Sequence, residues 1–216
     1  MTTRILIADD HRLMREGLRV LLEKQKDFEV IAEAGDGRTA VRLSEELSPD
    51  IVIMDVSMPE LNGIEATRTI ITKDPHTKVI ALSMLSNNTF AIEMFKAGSS
   101  AYVIKDCASE ELTYAVRAAL KGQLYLSPIM VAFFVKGFLQ KSDKGNPSSA
   151  FSILTNRERE VLQLFAEGKT TKKIAALLQV SPKTVETQRQ NIFRKLDINN
   201  LVELTRYAIR EGLISL

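Results

Sequence analysis

The sequence contains no tryptophan, and aromatic residues make up only 6% of it. A protein that holds single-stranded nucleic acid by stacking bases on aromatic faces needs more, so that class is set aside. Cys107 is the only cysteine, which excludes a disulfide within the chain and makes a reducing cytoplasm the expected compartment. Two histidines, His11 and His76, are too few for a histidine-rich metal site. The longest apolar run, Ile129–Val135, falls far short of the ~20 residues that cross a bilayer, so no membrane partner is expected. The N-terminus turns acidic directly after Ile5–Ala8, unlike a secretion signal.

What is present is a balanced, core-forming composition. The 216 residues suit one large domain or two small ones, and 45% of them are hydrophobic. The net charge of +2 is unevenly divided. Residues 1–150 hold 18 Lys+Arg and 20 Asp+Glu, a balance of −2, whereas residues 151–216 hold 11 and 7, a balance of +4. The smaller C-terminal part is the one suited to a polyanion.

The first 120 residues alternate between two periodicities. Short β-branched runs stand at 4–8 (RILIA), 28–32 (FEVIA), 51–54 (IVIM), 79–82 (VIAL) and 101–104 (AYVI). Between them lie stripes at helical spacing: Leu13, Gly17, Leu18 and Leu21; Ala40, Leu43 and Leu47; Ile64, Thr67, Ile70 and Ile71; Ile92, Phe95 and Lys96. Leu112, Val116 and Leu120 form a fifth, behind Ser109 as candidate N-cap. Five strands alternating with five helices predict a doubly wound, five-stranded parallel sheet with helices on both faces, and if its order is 2-1-3-4-5, strands 1 and 3 flank the point where the order reverses.

In such a sheet ligands bind beyond the carboxyl ends of the strands, where strand order reverses. The residues at those ends are polar and specific. Asp9 and Asp10 follow the first run, Asp55 the third, Ser83 the fourth and Lys105 the fifth. Three carboxylates so close cannot all stay ionised unaided. A hard divalent cation with oxygen ligands answers this, and Mg²⁺ suits a site with few carboxylates and several retained waters. A cation, a lysine and a hydroxyl around one carboxylate can stabilise a transferring phosphoryl group, with the carboxylate as nucleophile. Replacing Asp9 or Asp10 with Ala is expected to abolish Mg²⁺-dependent phosphorylation and, by relieving repulsion, to leave the metal-free domain no less stable.

Residues 1–121, through ILIADDH, IVIMDVSMPELNG, VIALS and AYVIKD, resemble a bacterial response-regulator receiver domain. The resemblance implies that Asp55 is the phosphoacceptor and that Asp9, Asp10 and the Ser57 carbonyl join it around Mg²⁺. It implies that Ser83 bonds the phosphoryl oxygens, that Lys105 pairs with them, and that Tyr102 is the aromatic that changes rotamer on activation. Met58-Pro59 and Gly63 match the loop after the phosphoacceptor. Met84 and Leu85 are bulky where some receivers are small.

Residues 122–149 read as a connector: a short helix from Ser127-Pro128 through Leu139, then KSDKGNPSS at 141–149, a flexible composition. The remaining pattern, 150–216, is helical only. Thr155-Asn156-Arg157-Glu158 is a capping box opening a helix with Val161, Leu162, Leu164 and Phe165, which Gly168 stops. Ile174, Leu177 and Leu178 mark a second helix, Ser181-Pro182 begins a third, and a fourth runs from about Asn200 to Glu211.

Two short helices, a turn and a longer third helix read as helix-turn-helix. At ~100° per residue, Val185, Ile192 and Leu196 fall on one face of the third helix, and Lys183, Thr187, Gln190 and Arg194 on the other, flanked by Glu186 and Asn191. Amides pair with adenine, Arg with guanine, and Glu accepts from cytosine. Lys183, Lys195, Arg194 and the helix start at Ser181–Thr184 are candidates for phosphate contacts. The stretch LTNREREVLQLFAEGKTTKKIAALLQVSPKTVETQRQNIFRKL is similar to the four-helix DNA-binding domain of the LuxR/NarL class. It departs from the family at Gln188, where histidine is frequent, and at Gln179, where glycine often breaks the turn. The resemblance implies dimerisation through the last helix (Val202, Leu204, Thr205, Arg206, Ala208, Ile209).

Nearly the whole chain therefore resembles a NarL/FixJ-class transcriptional response regulator. The implied partners are a sensor histidine kinase, double-stranded DNA and a second copy of the chain. A phosphatase of the haloacid-dehalogenase type is the alternative enzyme, but it needs a second aspartate two residues after the nucleophile, where Ser57 stands. A receiver that never takes phosphate and serves only for protein interaction is the other.

Overall fold

The computed structural model describes residues 2–84, 88–132, 153–211 and 213–214. Backbone contacts divide the chain into two compact units, Met1–Lys144 and Gly145–Leu216.

The first unit alternates as the periodicities require: β1 (Thr3–Ala8), α1 (Arg12–Glu23), β2 (Phe28–Ala34), α2 (Gly37–Leu47), β3 (Ile51–Asp55), α3 (Gly63–Lys73), β4 (Lys78–Ser83), α4 (Asn88–Ala97), β5 (Ala101–Ile104), a 3₁₀ turn (Lys105–Cys107) and α5 (Ala108–Leu120). The strands are parallel in the order β2-β1-β3-β4-β5, and a sixth, β6 (Tyr125–Leu126), adds to the β5 edge. The expected sheet has five strands. The sixth is two residues long, carries no alternation, and lies in the stretch read as a connector.

β3 is buried at all five positions, as a central strand covered on both faces must be. Ile5, Ile7, Ile53, Ile80 and Val103 pack on Leu18 and Leu22 of α1 and on Leu112 and Val116 of α5. Each such large apolar side chain contributes about 1.5–3 kcal/mol through burial. On α1, Leu13 is 82% exposed and Gly17 is exposed, so the inner stripe is Leu18 and Leu22 with Met14 and Leu21 beside them. On α4 the buried line is Phe90, Ala91, Met94 and Ala97 rather than Ile92, Phe95 and Lys96. Ser109 lies inside α5, whose N-cap is Cys107 without a side-chain bond, because the 3₁₀ turn already leads into the helix. Leu120, at the end of α5, is exposed.

β6 is fastened where the functional edge of the sheet lies. Ser127 N–H donates to the Tyr102 carbonyl at 3.0 Å. The wholly buried Ser127 Oγ accepts from Ile104 N–H at 3.1 Å and donates to Glu111. Residues 128–132 are helical, consistent with a helix beginning at Ser127-Pro128. The rest of that expected helix, 133–139, and the stretch 141–149 lie outside the described residues.

Among the described residues the second unit is helical: α6 (Asn156–Ala166), α7 (Thr171–Leu177), α8 (Pro182–Leu196) and α9 (Leu201–Arg210). The starts of α6 and α8 are capped as the sequence predicts. Thr155 and Glu158 form the reciprocal box on α6, and Ser181 Oγ accepts from Thr184 N–H at 3.1 Å on α8, with Pro182 beside it. Gly168 ends the first segment at φ 76°, a left-handed conformation that suits glycine. α7 closes with the two bonds of a Schellman motif, Val180 N–H to the Ala175 carbonyl at 3.0 Å and Gln179 N–H to the Ala176 carbonyl at 3.3 Å. The core joins Val161, Leu162, Ile174, Val185, Ile192, Leu204 and Ala208.

Candidate functional site

The parallel register builds the acidic site. Ala8 lies beside Met54, so the residues that follow them, Asp9 and Asp55, leave adjacent strands at the same level. Ser83 pairs with Ile104, which sets Lys105 just beyond β5. The strand-end residues therefore meet at one edge of the sheet.

Asp9 and Asp55 are buried, and Lys105 stands between them, with Nζ 2.7 Å from Asp9 Oδ2 and 2.8 Å from Asp55 Oδ2. Asp55 Oδ1 accepts from Ser57 N–H at 3.2 Å, and Asp9 Oδ1 accepts from His11 N–H at 2.9 Å. Gly63 has no room for a side chain: a Cβ there would meet the Asp55 carbonyl oxygen at 2.0 Å. This close approach, with Gly63 N–H bonded to the Val56 carbonyl at 2.9 Å, seats the start of α3 under the Asp55 loop. Asn62 caps α3 there, accepting from Ile64 and Glu65 N–H.

One ammonium serves two carboxylates, and the electrostatics show it. Burial pushes the Asp55 carboxyl up to about 6, a rise that Lys105 and the Ser57 N–H oppose and Asp9 reinforces. Burial alone would lower Lys105, but Asp55 and Asp9 outweigh it and hold the ammonium above its ordinary range. The site carries surplus negative charge. Ligand atoms of Asp9, Asp10, His11 and Asp55 lie within 4.8 Å of one another. Asp9 Oδ2, buried beside Lys105, makes no aligned hydrogen bond. Hard oxygen donors, net negative charge and an unsatisfied lone pair fit a divalent cation.

Tyr102 is wholly buried on β5. Burial raises its hydroxyl to about 12, against a hydrogen bond with Ser83, so it stays protonated. The two residues implied as the switch are thus joined directly. Met84 is exposed, and Leu85 lies outside the described residues.

In the second unit, α8 presents the divided faces read from the sequence. Val185 and Ile192 are fully buried and Leu196 packs against the core, while Lys183, Thr184, Thr187, Gln190, Arg194 and Lys195 are exposed. Glu186 and Asn191 are half-buried.

Known proteins match both units. The response regulator receiver domain family matches residues 5–117, and the bacterial regulatory proteins of the luxR family match residues 152–208. The oxygen regulatory protein NreC of Staphylococcus aureus (strain bovine RF122 / ET3-1) is 37% identical, over 98% of this chain and 99% of its own. The transcriptional regulatory protein DegU of Brevibacillus brevis is 34% identical, over 96% of this chain and 93% of its own. Among solved structures, the Salmonella typhimurium response regulator RcsB aligns with a TM-score of 0.66 at 27% identity, covering 98% of this chain and 99% of RcsB. RcsB has also been solved as a complex with DNA.

The chain is a LuxR-family response regulator. It is a transcription regulator with a receiver domain and a LuxR-type DNA-binding domain. No helix among its described residues is long and apolar enough to cross a membrane.

Two residues of this response regulator's acidic site escaped the sequence reading. His11 Nδ1 lies 2.7 Å from Asp10 Oδ1, and the signal was its position directly after Asp10. Arg15 Nη1 donates to the Asp9 carbonyl at 2.7 Å while its Nε meets Glu33 at 3.2 Å. Nothing in the sequence pairs Arg15 with β2.

Not all of the α8 candidates present free heads. Lys195 Nζ lies 2.6 Å from the buried Glu158 of the capping box, whose carboxyl is held below its ordinary range: burial opposes this, but Lys195 and Thr155 prevail. Asn191 Oδ1 accepts from Arg194 at 3.1 Å. On α9, Val202 and Arg206 are exposed and Thr205 and Ile209 half-buried, but Leu204 and Ala208 belong to the domain's own core.

Proposed function

We propose that this response regulator is phosphorylated on Asp55 by a sensor histidine kinase, or by a small phosphodonor, with Mg²⁺ held by Asp9, Asp10, Asp55 and the Ser57 carbonyl. The observation that carries the reading is Lys105 placed between Asp9 and Asp55 at 2.7 and 2.8 Å. Bound Mg²⁺ supplies charge neutralisation for the incoming phosphoryl oxygens. The Asp55 carboxylate attacks phosphorus, an O–P bond forms, and the bond to the donor breaks. Lys105 then pairs with the new phosphoryl oxygens and Ser83 donates its hydroxyl to them. Ser83 and Tyr102 share a hydrogen bond, so turning the Ser83 hydroxyl to the phosphoryl group frees Tyr102 to change rotamer. The chain acts on its own aspartate only and is no enzyme towards other substrates.

The receiver spans 1–121, the connector 122–149 and the DNA-binding domain 150–216. The unphosphorylated receiver hinders the Lys183–Lys195 helix. Phosphorylation releases it and favours a dimer on paired half-sites, through Val202, Thr205, Arg206 and Ile209. Lys183, Thr184, Thr187, Gln190, Asn191, Arg194 and Lys195 face the DNA. Kinase signal and DNA target meet in the cytoplasm.

The test is to treat wild type and Asp55→Ala with Mg²⁺ and acetyl phosphate or beryllofluoride, measuring intact mass and DNA affinity. Wild type should gain one phosphoryl mass from acetyl phosphate and bind DNA more tightly, and Asp55→Ala should do neither. A wild type unchanged in both assays would sink the phospho-switch. Masking is tested separately: residues 150–216 alone should bind DNA more tightly than the unphosphorylated full chain.

A further inference from the structure

Glu186 lies in the DNA-facing helix, where the sequence reading made it a candidate reader of cytosine. Its carboxylate is already engaged on both oxygens. Thr171 Oγ1 of α7 donates to Oε1 at 2.6 Å, and Arg189 Nη2 of α8 lies 2.6 Å from Oε2. Arg189 is held in turn: its guanidinium sits over the rings of Phe165 at 5.8 Å and Phe193 at 6.0 Å. A chain of contacts thus runs from α7 through Glu186 and Arg189 to α6.

Each oxygen keeps a second lone pair, but the bond to α7 and the ion pair fix where it points, so swinging the acid towards a base edge breaks one or both contacts. An unpaired acid in a DNA-facing helix would also repel phosphates, and Arg189 cancels that charge. We infer that Glu186 and Thr171 are positioning residues: they clamp the recognition helix to the helix before it, and base discrimination falls to the exposed side chains beside them, Gln190 foremost. Neither residue touches the bases in this role. Their loss loosens the angle at which α8 enters the groove and leaves the base preference unaltered.

Full-length wild type, Thr171→Val, Glu186→Gln and the double variant are each selected against a randomised duplex library. Affinity for the wild-type consensus is then measured with and without acetyl phosphate. The clamp predicts the same base preference for all four proteins and about three- to tenfold weaker binding for Thr171→Val, whereas Glu186→Gln, which keeps an acceptor for Thr171 and frees Arg189, should lose less. The double variant should be no weaker than the worse single one. Thr171→Ser, which restores the hydroxyl, should bind as wild type does, separating lost positioning from misfolding. The ratio of variant to wild type should be the same with or without the phosphodonor, so a receiver that failed to respond would leave the clamp standing. If Glu186→Gln relaxes a preference at one base pair while Thr171→Val does not, Glu186 reads DNA directly and the inference is overturned. Unchanged affinity in Thr171→Val overturns it too.

Discussion

Asp9 and Asp10 are neighbours in the chain but not in environment. The Asp9 side chain is wholly buried against Lys105, whereas Asp10 keeps 29% of its side chain exposed and faces His11. From the sequence alone, both were expected to be dispensable to the metal-free fold. The structure separates them.

Asp10→Ala should therefore leave metal-free stability unchanged or slightly raised, because it removes a partly solvated acid from a negative cluster. Asp9→Ala should lower it by about 1–3 kcal/mol, because His11 N–H loses its acceptor and Lys105 keeps only Asp55. Urea unfolding of the two variants without divalent metal measures the difference. Equal midpoints would show that relief of repulsion offsets the loss of Asp9's bonds.

Asp55 gives a pH dependence of definite sign. Its carboxyl is raised to about 6, so its contribution to stability is complete below the ordinary carboxylate range and is lost as pH rises through about 6. Asp55→Asn removes that loss. The variant should exceed wild type in stability by roughly 1–3 kcal/mol at pH 7 to 8, and by much less at pH 4. Mg²⁺ added at pH 8 should stabilise wild type and narrow the gap. A gap that widened on acidification would place the wrong charge on the site.

The strand ends were legible because each apolar run had to stop where side chains turned polar, and parallel register brings such ends together. That is why Asp9, Asp55, Ser83 and Lys105 could be placed from spacing. Helix faces were less secure. Leu13 satisfies the helical period yet points to solvent, because period states which residues share a face and not which face is covered. α4 shows the same limit: an offset of one residue moves the stripe from Ile92 and Phe95 to Ala91 and Met94. The engagement of Glu186 by Thr171 was invisible, since it depends on how two helices cross.

Gln179 takes φ 53° in the Schellman turn after α7, where the family often has glycine. A left-handed residue with a side chain carries about 1–2 kcal/mol of strain, part of which glycine returns through its freer unfolded state. Gln179→Gly should stabilise the DNA-binding domain by about 0.5–1 kcal/mol, and the β-branched Gln179→Val should destabilise it by about 1 kcal/mol or more. Thermal unfolding followed by helical circular dichroism ranks the three proteins. A glycine variant that melts lower than wild type would mean the Gln179 side chain contributes more than the strain it brings.

Ser127 follows β6 directly and reinforces its backbone pairing with β5. Its buried hydroxyl serves Ile104 N–H on one side and Glu111 on the other. Ser127→Ala keeps the shape but leaves a buried backbone donor without a partner, which costs about 1–3 kcal/mol. Ser127→Cys offers only a weak acceptor and should fall between. The loss should concentrate at the edge: hydrogen exchange should speed at Ile104, Tyr125 and Ser127 while Ile53 on β3, two strands inward, stays protected. Uniform acceleration across the sheet would instead make Ser127 a determinant of global stability, and no change at Ile104 would show that water serves this amide as well as the hydroxyl does.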